Sequence, residues 1–125
     1  MVALDTNVAI EILRGKLQLP RERQQAPYAL PTVAAGELLF GAWNSGLPTK
    51  NLVLYRTFIH NLPALLLDAL AAEHYAEIRL ALKLKGRPIP DNDMWIAAIC
   101  RAHDVPLLTF DRHFAEVPGL RVLTP

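Results

Sequence analysis

With one cysteine, Cys100, in 125 residues, the chain has no partner for an internal disulfide and no thiol set for a zinc cluster. No apolar run is long enough to span a bilayer. Met1-Val2-Ala3-Leu4-Asp5 lacks the basic, then apolar, then small-residue pattern of a secretory leader. These absences lead to the expectation of a soluble cytoplasmic protein with no membrane contact. Neither sign of charge dominates: 13 Lys and Arg stand against 12 Asp and Glu, so composition announces no nucleic-acid partner. Repeats, low-complexity stretches and long linkers are missing, and the ten prolines are scattered as breaks. At 52% hydrophobic residues, a chain of this length supports one core, hence a single domain over 1–125.

What charge there is falls unevenly. Arg14, Lys16, Arg21 and Arg23 lie close together against only Glu22, and Arg79, Lys83, Lys85 and Arg87 form a stretch without an acid. Each is either a phosphate-tracking patch or ordinary solvated surface.

Hydrophobic patterning predicts short apolar strands at Val2 to Leu4, Tyr28 to Leu30, Ala64 to Leu67 and Val105 to Thr109, with an edge strand at Leu120 to Leu123. Helices are expected between them. The first runs from Val8 to Arg14 and stops at Gly15; Leu17 to Pro27 is a polar connection. Thr32 caps a second from Val33 to Trp43, and Pro48 opens a third through Asn61. Asp68 caps Leu70 to Lys85, ended by Gly86 and Pro88, and Asp91-Asn92-Asp93 opens the last, with Trp95, Ile96, Ile99 and Ala102 inward. Alternation of this kind implies an α/β fold: a three-layer α/β/α sandwich around a mostly parallel sheet.

The acids fall at telling places in that scheme. Asp5 directly follows the first strand and Asp111 closely follows Leu107-Leu108-Thr109, so both project beyond the carboxyl ends of strands, where open parallel sheets bind ligands. Asp93 opens a helix near the same edge. Glu37 is the only charged residue between Arg23 and Lys50, inside the apolar run Val33 to Phe40, which predicts a helix buried all round. A carboxylate there must be paired, protonated or bound to metal, and no residue at i±3 or i±4 is basic. Four acids in one pocket repel one another, and a divalent cation removes the repulsion. All-oxygen donors suit Mg2+ or Mn2+. Such ions activate water and stabilise phosphodiester displacement. Taken singly, each acid also has a plain role: Asp5 as a helix cap, Asp93 against the helix dipole, Asp111 in a turn, Glu37 paired with an arginine.

These residues carry a family pattern. Leu4-Asp5-Thr6-Asn7, Gly36-Glu37-Leu38, Asp93-Met94-Trp95-Ile96-Ala97-Ala98 and Thr109-Phe110-Asp111-Arg112-His113-Phe114 resemble, in order, the four motifs of PIN domains. The match runs from Val2 to about Pro118 and is nearest to the VapC-type toxins of VapBC modules. That resemblance implies a metal-dependent endoribonuclease acting on structured RNA such as tRNA or ribosomal RNA, a homodimer, and a VapB-type antitoxin that blocks the site. It implies Asp5, Glu37, Asp93 and Asp111 as the acidic quartet, Asp5 and Asp93 as the most direct metal ligands, and Thr6, Asn7 and Thr109 as polar supports. Asp91 and Asp93 both precede the helix; the Ile-Ala-Ala spacing favours Asp93 and leaves Asp91 as an N-cap or auxiliary acid.

Other readings fit less well. A haloacid dehalogenase-like phosphatase resembles Asp-x-Asp at the start, where this chain has Asp5-Thr6-Asn7, and a receiver domain needs a lysine that Thr109 to Phe114 lacks. A non-catalytic PIN-like RNA-binding or regulatory module would be marked by loss of an acid, and all four are present. His60, His74, His103 and His113 show no metal spacing and are expected at helix surfaces or ends; of the four only His113, close to Asp111, is in reach of the site. Cys100 is expected in the core, and Trp43 and Trp95 in the core or at a dimer interface. The second and third helices, rich in apolar residues, are the candidates for a two-fold interface and an antitoxin groove.

Overall fold

The computed structural model describes residues 1–19 and 27–125. Arg21, Glu22 and Arg23 of the first basic cluster, and most of the expected polar connection, lie outside the described residues. Five strands form one sheet in which all pairings are parallel: β1 (Val2–Leu4), β2 (Tyr28–Pro31), β3 (Ala64–Leu65), β4 (Leu107–Leu108) and β5 (Val122–Leu123), in the order β3-β2-β1-β4-β5. Between them run α1 (Thr6–Leu13), α2 (Thr32–Trp43), α3 (Pro48–His60), α4 (Ala69–Lys85) and α5 (Asp91–Ala102); a 3-10 helix, Arg112–Glu116, follows β4. The helices flank the sheet, giving the expected α/β/α sandwich.

Strand order reverses at β1. The chain leaves β1 for β2 on one side, and β4 pairs with β1 on the other, in the register Ala3 with Leu107 and Leu4 with Leu108. A crevice opens beyond the carboxyl ends of strands at such a reversal. Asp5 continues β1 and donates its backbone N–H to Leu108 O at 3.0 Å, so the ladder itself sets Asp5 beside Thr109.

Several local signals act as the sequence predicts. Pro48 opens α3, where a missing N–H costs nothing. Asp68 accepts from Ala71 N at 2.9 Å and caps α4, which ends at Gly86 with φ +67°, a left-handed conformation that glycine adopts without strain. Two starts differ. Thr32 lies inside α2 and its hydroxyl accepts instead from Leu67 N at 3.3 Å, tying α2 to the segment after β3. Asp91 is likewise within α5, with Pro90 ahead of it, and caps nothing.

The helix wrapped by protein is α5. Ile96 through Cys100 are wholly buried, and the Cys100 thiol is pushed up to about 12 by burial, with Asp5 adding to the rise. It is a core residue with no nucleophilic character. Trp95 is not in that core; it is half-buried and stacks on Tyr75 with ring centroids 3.7 Å apart. The expectation that α2 is buried all round also fails. Ala34, Leu38 and Ala42 face the core, whereas Phe40 is 69% and Trp43 63% exposed. Its apolar residues serve two faces, and in one copy of the chain only the first is covered.

Candidate metal centre

All four predicted acids line one cleft of about 450 Å³, together with Thr6, Asn7, Pro90, Asp91 and Asn92. The sheet delivers Asp5 and Asp111 from the ends of neighbouring strands, the first turn of α5 delivers Asp93, and α2 delivers Glu37 from the second turn of its helix.

Asp5 is 3% exposed and doubly held: Thr6 N donates to Oδ1 at 2.9 Å and the Thr109 hydroxyl to Oδ2 at 2.6 Å. It therefore caps α1 and lines the cleft at once. Thr109, 2% exposed, also accepts from Asp111 N at 3.0 Å, so one buried hydroxyl ties two members of the quartet. Thr6 Oγ1 donates to Glu37 Oε1 at 2.9 Å, and no basic side chain pairs with Glu37 among the described residues. The support expected from Thr6 and Thr109 is thus made by direct hydrogen bonds. Asn7 lines the cleft without a hydrogen bond to a described residue.

Asp91 is diverted. It is exposed at the rim and accepts a short hydrogen bond from the Tyr75 hydroxyl, which is itself held by Arg79 at 2.9 Å. With Tyr75 and Arg79 on one side of its carboxylate, Asp91 is a rim residue, and Asp93 is the acid of α5 that faces the other three.

The electrostatics carry the mark of crowding. Burial pushes the Asp93 carboxyl up to about 6; Asp5, Glu37 and Asp111 each add to the rise, and His113 opposes it. Asp5 is raised too, mainly by burial and further by Asp111, while its hydrogen bonds from Thr109 and Thr6 pull the other way. His113 enters the site as its closeness to Asp111 suggested: Nε2 lies 3.0 Å from Asp93 Oδ2. Donor atoms of Asp93, Asp111 and His113 all fall within 4.8 Å of one another. Asn92 was not anticipated. Lying between two acids at a helix start, it gave only the helical phase as a clue.

The donor set fits a divalent cation: carboxylate oxygens whose pKa values are raised first by burial and further by one another, and a buried imidazole nitrogen beside them. Among the described residues, no helix is long and apolar enough to cross a membrane.

The family profile of the PIN domain matches residues 2–120. The chain is 35% identical over 122 residues to the tRNA(fMet)-specific endonuclease VapC of Shigella flexneri, covering 94% of this chain and 92% of that protein. It is 32% identical over 123 residues to the Salmonella typhimurium protein of the same name, covering 95% and 93%. Its fold matches a chain in the crystal structure of DNA-bound VapBC from Salmonella typhimurium with a TM-score of 0.90 at 32% identity, over 99% of this chain and 98% of that one. With the acid cleft in place and nearly full-length similarity on both counts, the chain belongs to the PIN-domain family, among the VapC ribonucleases.

Proposed function

We propose that this protein is an endoribonuclease toxin that cuts structured RNA with the help of a divalent cation, and that a VapB-type antitoxin neutralises it. The observation that carries this is the convergence of Asp5, Glu37, Asp93 and Asp111, remote along the chain, on one cleft. Two relatives named for tRNA(fMet) favour tRNA over ribosomal RNA as the substrate. A relative seen in a DNA-bound VapBC complex favours an antitoxin partner.

Asp5 and Asp93 are the direct metal ligands, with Glu37 and Asp111 completing the acidic wall. The ion is Mg2+ or Mn2+, both of which take carboxylate oxygens. When bound, the cation supplies charge neutralisation and an activated water. Thr109 holds the carboxylate of Asp5 and the backbone of Asp111 at fixed separation, and Thr6 does the same for Glu37. Fixed carboxylates need no reorganisation when a phosphodiester arrives, which is where such a site gains rate.

RNA reaches the acids over adjacent cations. Arg87, Arg112 and His113 line a groove with Pro88, Ile89 and Glu116. Lys85 offsets Glu116, donating to its backbone carbonyl at 2.7 Å. Neither the Arg87 nor the Arg112 side chain has an ion pair or hydrogen bond among the described residues, which leaves both for phosphates.

The test is cleavage of a tRNA mixture by wild type and Asp5→Asn, with Mg2+, with Mn2+ and with chelator. Cleavage by wild type alone, abolished by chelation, is expected. Equal behaviour of the two proteins would return the chain to a non-catalytic RNA-binding or regulatory role.

A further inference from the structure

We infer that His113 is a nitrogen ligand of the ion held in the acid cleft and biases that centre toward manganese-type ions over magnesium. This rests on the metal site proposed above.

The first observation is an unsatisfied atom. Nε2 of His113 is shielded from solvent and, among the described residues, is the buried side-chain polar atom that lacks a hydrogen-bond partner. Its 3.0 Å approach to Asp93 Oδ2 is within reach of an ion pair but is not aligned as a hydrogen bond. A histidine placed merely to pair with an aspartate would point its N–H along the acceptor, since a misdirected contact forfeits most of the bond.

The second observation is spacing. Two donors at adjacent corners of an octahedral ion, each about 2.1 Å from it, stand about 3 Å apart. That is the separation of Asp93 Oδ2 and His113 Nε2, and Asp93, Asp111 and His113 each bring one donor atom within 4.8 Å of the others'.

The third is anchorage. His113 sits in the 3-10 turn next to Phe114, which is wholly buried, and its ring leans on the Phe114 ring at 4.7 Å. The imidazole, one third exposed, is therefore braced on one side by a core ring. Other histidines are occupied elsewhere: His74 Nδ1 accepts from Arg101, and His103 Nε2 faces Leu66 O.

The consequence is selectivity. Magnesium takes oxygen ligands and demands regular geometry, whereas imidazole suits first-row transition ions. An oxygen set with one nitrogen shifts preference toward Mn2+.

The experiment is electron spin-echo modulation of the full-length protein loaded with Mn2+, together with Mn2+ and Mg2+ binding to wild type and His113→Gln. A ¹⁴N coupling of directly bound imidazole is expected in wild type. In His113→Gln it should vanish, with Mn2+ binding about tenfold weaker and Mg2+ binding changed less than about threefold. Bound Mn2+ without nitrogen coupling in wild type overturns the assignment and leaves the acid site standing. Coupling that persists in His113→Gln overturns it as well, because the nitrogen is then another histidine's. No Mn2+ binding in wild type removes the metal centre itself. His113→Asn is the second variant should the glutamine protein fail to fold, and the wild-type spectrum decides on nitrogen ligation without either.

Discussion

Asp93 is the cleft acid whose carboxyl is pushed furthest toward neutral pH, to about 6. Its carboxyl is raised from 3.8 to about 6, so between those values the folded, metal-free protein holds a proton that the unfolded chain has released. Stability must then fall as pH rises through that window and stay low above it. Asp93→Asn removes the ionisation. It should stabilise the metal-free protein at pH 7.5 by about 1–2 kcal/mol once solvent screening is allowed for, a gain of a few degrees in Tm, and flatten the pH slope. Metal competes with the same proton, so Mn2+ affinity in wild type should strengthen as pH rises through about 6. Thermal melts across pH 4 to 8, with and without metal, check both signs; a metal-free protein that gains stability toward pH 8 contradicts them. Thr109 is the complementary case. Its buried hydroxyl serves Asp5 and Asp111 together, so Thr109→Val, close in shape, should cost about 1–3 kcal/mol and at least tenfold in kcat. Thr109→Ser should recover most of the activity.

Among the elements, the strands decided where the acids meet and the helices decided which acid of a pair faces the others. That Asp5 and Asp111 share an edge was legible because each follows a short apolar run, and β1 and β4 proved adjacent. That Asp93 faces the other three acids while Asp91 stays at the rim was legible only through the family spacing. Physically it depends on Tyr75 and Arg79, residues of α4 that hold Asp91 aside across a helix contact. The exposed face of α2 escapes the sequence for a similar reason: hydrophobicity all round a helix does not distinguish a face covered by its own chain from one left for another. The lysine and arginine stretch at the end of α4 was ambiguous in sequence, and the structure divides it. Arg79 is held by Tyr75, Lys85 by Glu116, and Arg87 remains beside Arg112 in the groove next to the acids. Replacing Arg87 and Arg112 together by Ala should raise KM for tRNA about tenfold at near-constant kcat and reduce the salt dependence of binding. A loss confined to kcat would place them in the chemistry instead.

For the molecule as a whole, an apolar surface remains after the core is complete. Phe40 and Trp43 of α2, Leu47, and Val53 and Leu54 of α3 are all exposed, and Leu47 and Val53 line one apolar pocket. Sedimentation at micromolar concentration should show a dimer, and Phe40→Glu with Trp43→Glu should give a folded monomer whose acid cleft still binds metal. A wild-type monomer would leave this surface to the antitoxin alone.

Sequence alone determined the layered α/β class, the main elements and the identity of the four acids, because periodicity, caps and the order of short motifs are local properties of the chain. Tertiary structure alone decided the rest: that one threonine clamps two of those acids, that Asp91 turns to a tyrosine, that His113 brings a nitrogen to them, and that α5 rather than α2 is enclosed. Each depends on which residues of distant segments come within a few ångströms. Contacts of that kind are set by packing between elements and leave no periodic trace in any one of them.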